Sequence, residues 1–268
     1  MPSLSLNAVQ LHYEHHPGAN SGQPPLLLLS GMASDSASWL PIIPGLVNNF
    51  ELLIPDNRCT GRTLPMPVQT SRDDMLNDLV AFLDALSIER VNVLGHSMGG
   101  MLGWALAERI PHRINHLICA SAHPVAIPAR IALFKTLSAL RTDDNEEDWF
   151  ELLFQFLFSP SFFQQSAAVK QAVQSSMNYP YKQSRTSFDT QVSALATFMS
   201  PINLDAVQCP VSLITGANDL LMTPALLQSF CAEHDHPFAV LPDAAHALHW
   251  EQADSFTQYV ITELLGST

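Results

Sequence analysis

The sequence predicts an α/β fold, a mostly parallel sheet flanked by helices and interrupted by one helical insertion, and three observations carry that prediction. Short apolar runs at 26–29, 91–94 and 211–215 read as strands covered on both faces. Helical patterns alternate with them, which is the order a parallel sheet requires. After Ala122 the alternation stops, and up to about Asp205 strand signal is almost absent. The expected division is therefore a core of residues 1–123 and 206–268 with a helical cap inserted at 124–205.

Composition narrows the function classes. At 268 residues the chain is long enough for one large domain with a substantial core. Apolar residues make up 47% and charged residues 14%, which excludes a disordered chain, and a net charge of -13 opposes nucleic acid and anionic membranes. No apolar run approaches the roughly 20 residues of a membrane helix, and residues 1–18 lack the basic start and apolar centre of a signal peptide, so a cytoplasmic location is expected. Cys59, Cys119, Cys209 and Cys231 lack the C-x-x-C spacing of a zinc site, and reduced thiols are expected. No metal or cofactor is called for.

Taken in order, Leu4 and Leu6, then Val9, Leu11 and Tyr13, alternate with polar residues about Asn7-Ala8, the pattern of a hairpin with one buried face. Residues 17–25 read as loop. Leu26 to Leu29 should be a central strand, and the loop after it leads to a helix holding Trp39, Leu40, Ile42 and Ile43, with Pro41 in its first turn. A strand at 51–54 precedes an amphipathic helix at 72–86, whose apolar residues recur every three or four positions. Ile114, Leu117 and Ile118 mark the next strand. Helical patterns in the insertion cover 131–140, 149–158 and 187–199. The second of these is apolar nearly all round, so Trp149, Phe150, Leu153 and Phe154 are expected to line an apolar substrate pocket. A strand at 211–215, a helix at 224–231, a last strand at 238–241 and a helix ending at Leu265 complete the chain.

Chemistry enters at Gly95-His96-Ser97-Met98-Gly99, between a strand and a helix. This is G-x-S-x-G, in which a serine on a sharp turn projects its hydroxyl above the sheet. The turn brings strand and helix backbones too close for a Cβ at Gly95 or Gly99. Met98 then starts the helix, and its unpaired N–H lies where an oxyanion would form. A serine hydroxyl needs a base within hydrogen-bond reach and a group that orients the base. Asp219 follows the 211–215 strand, at the edge where open α/β sheets bind ligands. Asp243 and Asp205 are rivals for that place, the first crowding the histidine loop and the second preceding its strand. Of eleven histidines, only His246 and His249 follow the last strand, and His246 falls in the loop itself. His96, beside the serine on the turn, should point elsewhere.

The order Ser97, Asp219, His246 and the motifs around it resemble the α/β-hydrolase superfamily over nearly the whole chain. Residues 243–252, DAAHALHWEQ, are similar to the family's histidine loop, with Ala245 where glycine is usual, and residues 7–13 resemble its opening hairpin. The resemblance implies a second oxyanion donor, the N–H of Met32, where Ser30-Gly31 replaces the usual His-Gly. Asp56-Asn57-Arg58-Cys59-Thr60-Gly61-Arg62 resembles a family turn, read as structural, with Asp56 and Arg58 bonded to backbone and Cys59 a packing residue. Ser97 argues against the branches that carry aspartate at the elbow, dehalogenases and epoxide hydrolases. The expected activity is a serine esterase or lactonase acting on a small molecule with an apolar part. Carbon–carbon bond hydrolases and cofactor-free perhydrolases share the same parts, and a ligand-binding receptor on this fold is the reading from another class.

Overall fold

The computed structural model describes residues 2–6, 8–19 and 22–266. Eight strands form one sheet: β1 (Ser3–Leu6), β2 (Val9–His16), β3 (Leu26–Leu29), β4 (Leu52–Pro55), β5 (Val91–His96), β6 (Ile114–Ala120), β7 (Val211–Gly216) and β8 (Phe238–Leu241). Their order is β1-β2-β4-β3-β5-β6-β7-β8, antiparallel for β1 with β2 and β2 with β4, and parallel from there on. The expected hairpin is β1 and β2. Of its turn, Ala8 is seen and Asn7 lies outside the described residues.

The four leucines of β3 show why continuous apolar runs mark buried strands. Leu27 and Leu29 join a cluster with α2 (Arg72–Ala85) and α3 (Met98–Arg109), while Leu26 and Leu28 join a second cluster on the opposite face. Period-two side-chain alternation thus feeds two cores from one strand. The second core takes Ile43 and Leu46 from α1 (Ile43–Leu46) and Phe256 and Val260 from the C-terminal helix. Helix α2 starts on a capping box, in which Ser71 and Asp74 each bind the other's backbone N–H.

The single helix expected around Trp39 is instead two pieces. A 3₁₀ turn at Ser36–Trp39 ends before Pro41, and α1 begins two residues after it. Pro41 and Pro44 each lack an N–H, so a continuous i to i−4 ladder has no donor at either place.

Between β6 and β7 the described chain holds only helices: α4 (Pro128–Leu140), α5 (Glu146–Leu157), α6 (Pro160–Phe163), α7 (Ser166–Met177) and α8 (Arg185–Ala194), with short 3₁₀ turns. Helix α8 ends at Ala194, five residues short of the expected stretch, which continues as the 3₁₀ turn Leu195–Met199 with Leu195 and Phe198 still buried. Leu137, Trp149, Leu153, Phe188 and Val192 form the insertion's own apolar cluster. Helix α5 is amphipathic rather than apolar all round. Glu147, Asp148, Glu151, Leu152 and Gln155 fall on one exposed face, and Trp149, Leu153 and Phe154 on the buried one. After β7 come α9 (Pro224–His234), and after β8 α10 (Leu248–Glu251) and α11 (Ala253–Leu265).

Candidate active site

Ser97 sits between β5 and α3 at φ 53° and ψ -120°, a strained conformation held by its N–H bond to Ala120 O at 2.9 Å. The elbow glycines have steric causes. A Cβ on Gly95 would lie 2.4 Å from Gly99 O, and one on Gly99 would lie 2.0 Å from Leu29 O. The first is the strand-to-helix approach expected from the turn. The second shows that the helix start also presses on the end of β3.

The structure brings Ser97, His246 and Asp219 together at the carboxyl ends of β5, β8 and β7. His246 Nε2 is 3.0 Å from Ser97 Oγ, and His246 Nδ1 is 2.9 Å from Asp219 Oδ2. A carboxylate only accepts, so Nδ1 carries the proton and Nε2 is left to accept from the serine hydroxyl. Asp219 is buried but well supplied with donors. Its Oδ1 accepts from the N–H groups of Leu221 and Met222, both at 2.8 Å, and its Oδ2 lies 3.0 Å from the Thr215 hydroxyl. Burial pushes its carboxyl pKa up, but the His246 charge and these hydrogen bonds outweigh burial and hold it below the ordinary value. The rivals Asp243 and Asp205 are both exposed, the first in the turn after β8 and the second in a 3₁₀ turn before β7.

His96 is not idle. Its Nε2 donates to the His246 carbonyl at 2.8 Å, and its ring lies 4.9 Å from the His246 ring. Burial first, and then the neighbouring His246 charge, bring its pKa down to about 3, so it stays neutral beside the base. His249 is buried against Trp39 and His96, with burial and both histidines lowering its pKa further. The position before the serine gave no sign of this tie, because the bond spans 150 residues of sequence.

Two backbone donors flank the serine. Met98 is the first residue of α3, so its N–H has no intrahelical acceptor. The Gly31–Met32 peptide is close by, since a Cβ on Gly31 would stand 3.1 Å from Ser97 Cβ. Among the described residues neither the Met32 nor the Met98 N–H is engaged by another protein group. Ser30, in place of histidine, accepts from Trp39 Nε1 at 2.9 Å and donates to Asp35 O at 2.9 Å, which closes the loop on itself. Asp56 binds backbone as expected, accepting from Ser36 N at 2.9 Å and Arg62 N at 2.8 Å. Arg58 does not: it forms a two-pronged pair with Asp78 of α2, because the turn aims it at that helix. Burial pushes the Cys59 thiol up to about 11, which suits a packing residue.

A cavity opens on Ser97 and His246, with Met32, Met98, Met101, Leu221 and Met222 on the core side. Its other wall is Ile127, Arg130, Ile131 and Phe134 of the α4 segment, with Leu195. These α4 positions are spaced i, i+3, i+4, i+7, one helical stripe. The expected substrate residues Trp149, Phe150, Leu153 and Phe154 are not brought there. Trp149 and Leu153 pack with Leu137, Phe188 and Val192, Phe150 packs against that cluster, and Phe154 meets Phe158 and Phe162 edge to face. Helix α4 lies in front of α5, so the aromatic helix supports the wall from behind. The cleft holds about 410 Å³ of empty space, its solvent-open part included.

The insertion is fastened to the loops that carry the site. Gln191 Oε1 accepts from Ala33 N at 2.9 Å, Tyr179 donates to Asp35 Oδ2 at 2.9 Å, and Gln183 donates to Cys59 O at 2.8 Å. Glu251, five residues after the base, accepts from Ala245 N at 2.7 Å and from Ser159 N at 2.9 Å, joining the His246 loop to the insertion. The sequence places Glu251 in the histidine-loop motif but gives no sign of this role, since its partners are set by tertiary packing.

Residues 24–253 match the family model described as the alpha/beta hydrolase fold, and the chain belongs to that family. Among its relatives are two proteins named "Putative carbamate hydrolase RutD". The one from Agrobacterium fabrum (strain C58 / ATCC 33970) is 27% identical over 95% of this chain and 98% of its own length. That from Caulobacter sp. (strain K31) is 29% identical over 96% of each. In fold, the chain is similar to the enol-lactonase from Burkholderia xenovorans LB400, at a TM-score of 0.83 and 22% identity, covering 99% of this chain and all of that one. It is likewise similar to a thermophilic esterase from Thermogutta terrifontis, at a TM-score of 0.81 and 22% identity over 98% and 97% of the two chains. Among the described residues no helix is long and apolar enough to cross a membrane.

Proposed function

We propose that the chain is a serine hydrolase that cleaves carboxylic esters or lactones through an acyl-enzyme on Ser97. The observation that carries this reading is the unbroken run from Ser97 Oγ to His246 Nε2 at 3.0 Å and from His246 Nδ1 to Asp219 at 2.9 Å. In the proposed reaction Ser97 Oγ attacks the carbonyl carbon as His246 Nε2 takes its proton. The carbonyl oxygen becomes an oxyanion and is received by the Met98 and Met32 N–H groups. His246 returns the proton to the leaving alcohol, then removes one from water, which attacks the acyl-enzyme and frees the acid. Asp219 keeps His246 in the productive tautomer throughout.

Relatives named for carbamate hydrolysis and fold neighbours named for lactone and ester hydrolysis support acyl transfer to water as the reaction class. The substrate range is tested on the purified protein with p-nitrophenyl acetate, a series of lactones and an aryl carbamate, alongside labelling by a fluorophosphonate. The expected result is a single adduct on Ser97 and turnover of at least one ester or lactone. Failure of the reagent to label Ser97 would overturn the reading in favour of a binding protein on this fold.

A further inference from the structure

We infer that the ester or lactone carries a free carboxylate and that Arg130 receives it. The inference rests on the Ser97 reading above and names its substrate class. Among the described residues Arg130 is the only arginine, lysine or carboxylate along the cavity wall, where it interrupts the apolar stripe Ile127, Ile131, Phe134. It is half-buried, and of its guanidinium only Nε is spent, on the Leu221 carbonyl at 2.7 Å. Among the described residues no carboxylate lies within ion-pair distance of it, in a chain with 25 acidic residues against 12 basic ones. Arg58, Arg62, Arg72, Arg113, Arg141 and Arg185 all face a carboxylate. Arg90 and Arg109 have amide partners instead, but they lie on the exposed surface.

A guanidinium offers five N–H donors in a planar fork that fits a carboxylate two-pronged, and against an apolar wall an ion pair is screened less than in water. The surroundings add to this preference. Arg130 lies in the first turn of α4, a helix of 13 residues whose first turn has no acidic residue and whose cap has no side-chain acceptor. The positive end of its dipole is therefore left uncompensated on the cavity side. Since Ser97 and Arg130 border the same small space, the carboxylate and the scissile carbonyl belong to one compact molecule, such as the half-ester of a short dicarboxylic acid or a lactone bearing a carboxylate.

The test compares monomethyl glutarate with methyl pentanoate, similar in length and differing in the charge, by proton release at pH 7.5 for the wild type, Arg130→Leu and Arg130→Lys. The wild type should favour the half-ester in kcat/KM by about 10- to 100-fold, mainly through KM, the range expected for a hydrogen bond to a charged group. Arg130→Leu should collapse that ratio to about one, with Arg130→Lys between. A ratio near one in the wild type, or one that survives in Arg130→Leu, overturns the inference. Loosening of the Leu221 contact would slow both esters alike and cancels in the ratio. Protection of Ser97 from the fluorophosphonate by glutarate at lower concentration than by pentanoate reads the same preference without turnover. If Ser97 takes no label at all, it is the hydrolase reading that has failed; if it labels and glutarate protects no better, the Arg130 inference alone has failed.

Discussion

The floor and the roof of the Ser97 cavity hold their polar groups in different ways. On the floor, Asp219 takes donors on both oxygens from backbone N–H groups, a hydroxyl and His246, and all of these sit on or just past β7 and β8. The roof meets the core through a backbone bond, Ala247 N to Leu157 O at 2.8 Å, and through the long side chains of Gln191, Gln183 and Tyr179, and among the described residues the buried Gln183 Oε1 and Gln191 Nε2 have no protein partner. Backbone donors fix a geometry at little entropic cost, whereas each glutamine must give up rotamer freedom to do so. The floor thus holds Ser97, His246 and Asp219 in one geometry, and the seam above it spends more side-chain freedom on each contact.

Breaking the floor should produce the largest effects. Ser97→Ala is expected to lower kcat on any hydrolysed ester by on the order of 10⁶; a variant keeping near-full activity would remove Ser97 from the reaction. Asp219→Asn should cost roughly 10⁴ in kcat through the wrong imidazole tautomer. Should Asp205→Asn prove the damaging change instead, the orienting acid has been misassigned.

The seam is read through stability and pH. Burial first, and then the nearby Asp56 charge, push the Asp35 carboxyl from its usual value up to about 6. A folded-state value above the unfolded one means that folding favours the protonated acid, so its contribution to stability falls as pH rises from about 4 to about 6. The loss is on the order of 2–3 kcal/mol, and Asp35→Asn should abolish this part of the pH dependence in urea titrations. Parallel curves for the two proteins would refute it. Smallest is Gln191→Leu, which leaves the Ala33 N–H unpaired. It should cost about 1–3 kcal/mol of stability and on the order of tenfold in kcat, less than removing an oxyanion donor outright. Unchanged kcat would show that the roof does not help to hold the Met32 loop.

The floor was also the legible half. Apolar runs such as Leu26–Leu29 announce a buried strand because they are too short for a helix and are bounded by turn residues, and strand ends then order Ser97, Asp219 and His246 along one edge. The roof resisted for a reason rooted in helices. An amphipathic stripe states that it will be buried but not against what, so the aromatic α5 looked like a pocket wall while the plainer stripe of α4 was the one. Arg130 was hidden by the same ambiguity, as was the pairing of Arg58 with Asp78, since charged partners 20 residues apart leave no local pattern.

The bond between Ser97 and His246 joins residues 149 apart in sequence. Contacts of that separation are assembled late and slowly, because the chain must close a long loop before they repay it. The Ser97 turn takes shape once β5 and α3 pack with the neighbouring ends of β3 and β6, but His246 arrives only with β8, an edge strand, and the loop behind it. A nascent or truncated chain that stops before residue 246 therefore has Ser97 without His246, and the appearance of hydrolase activity during refolding should time the docking of the last strand.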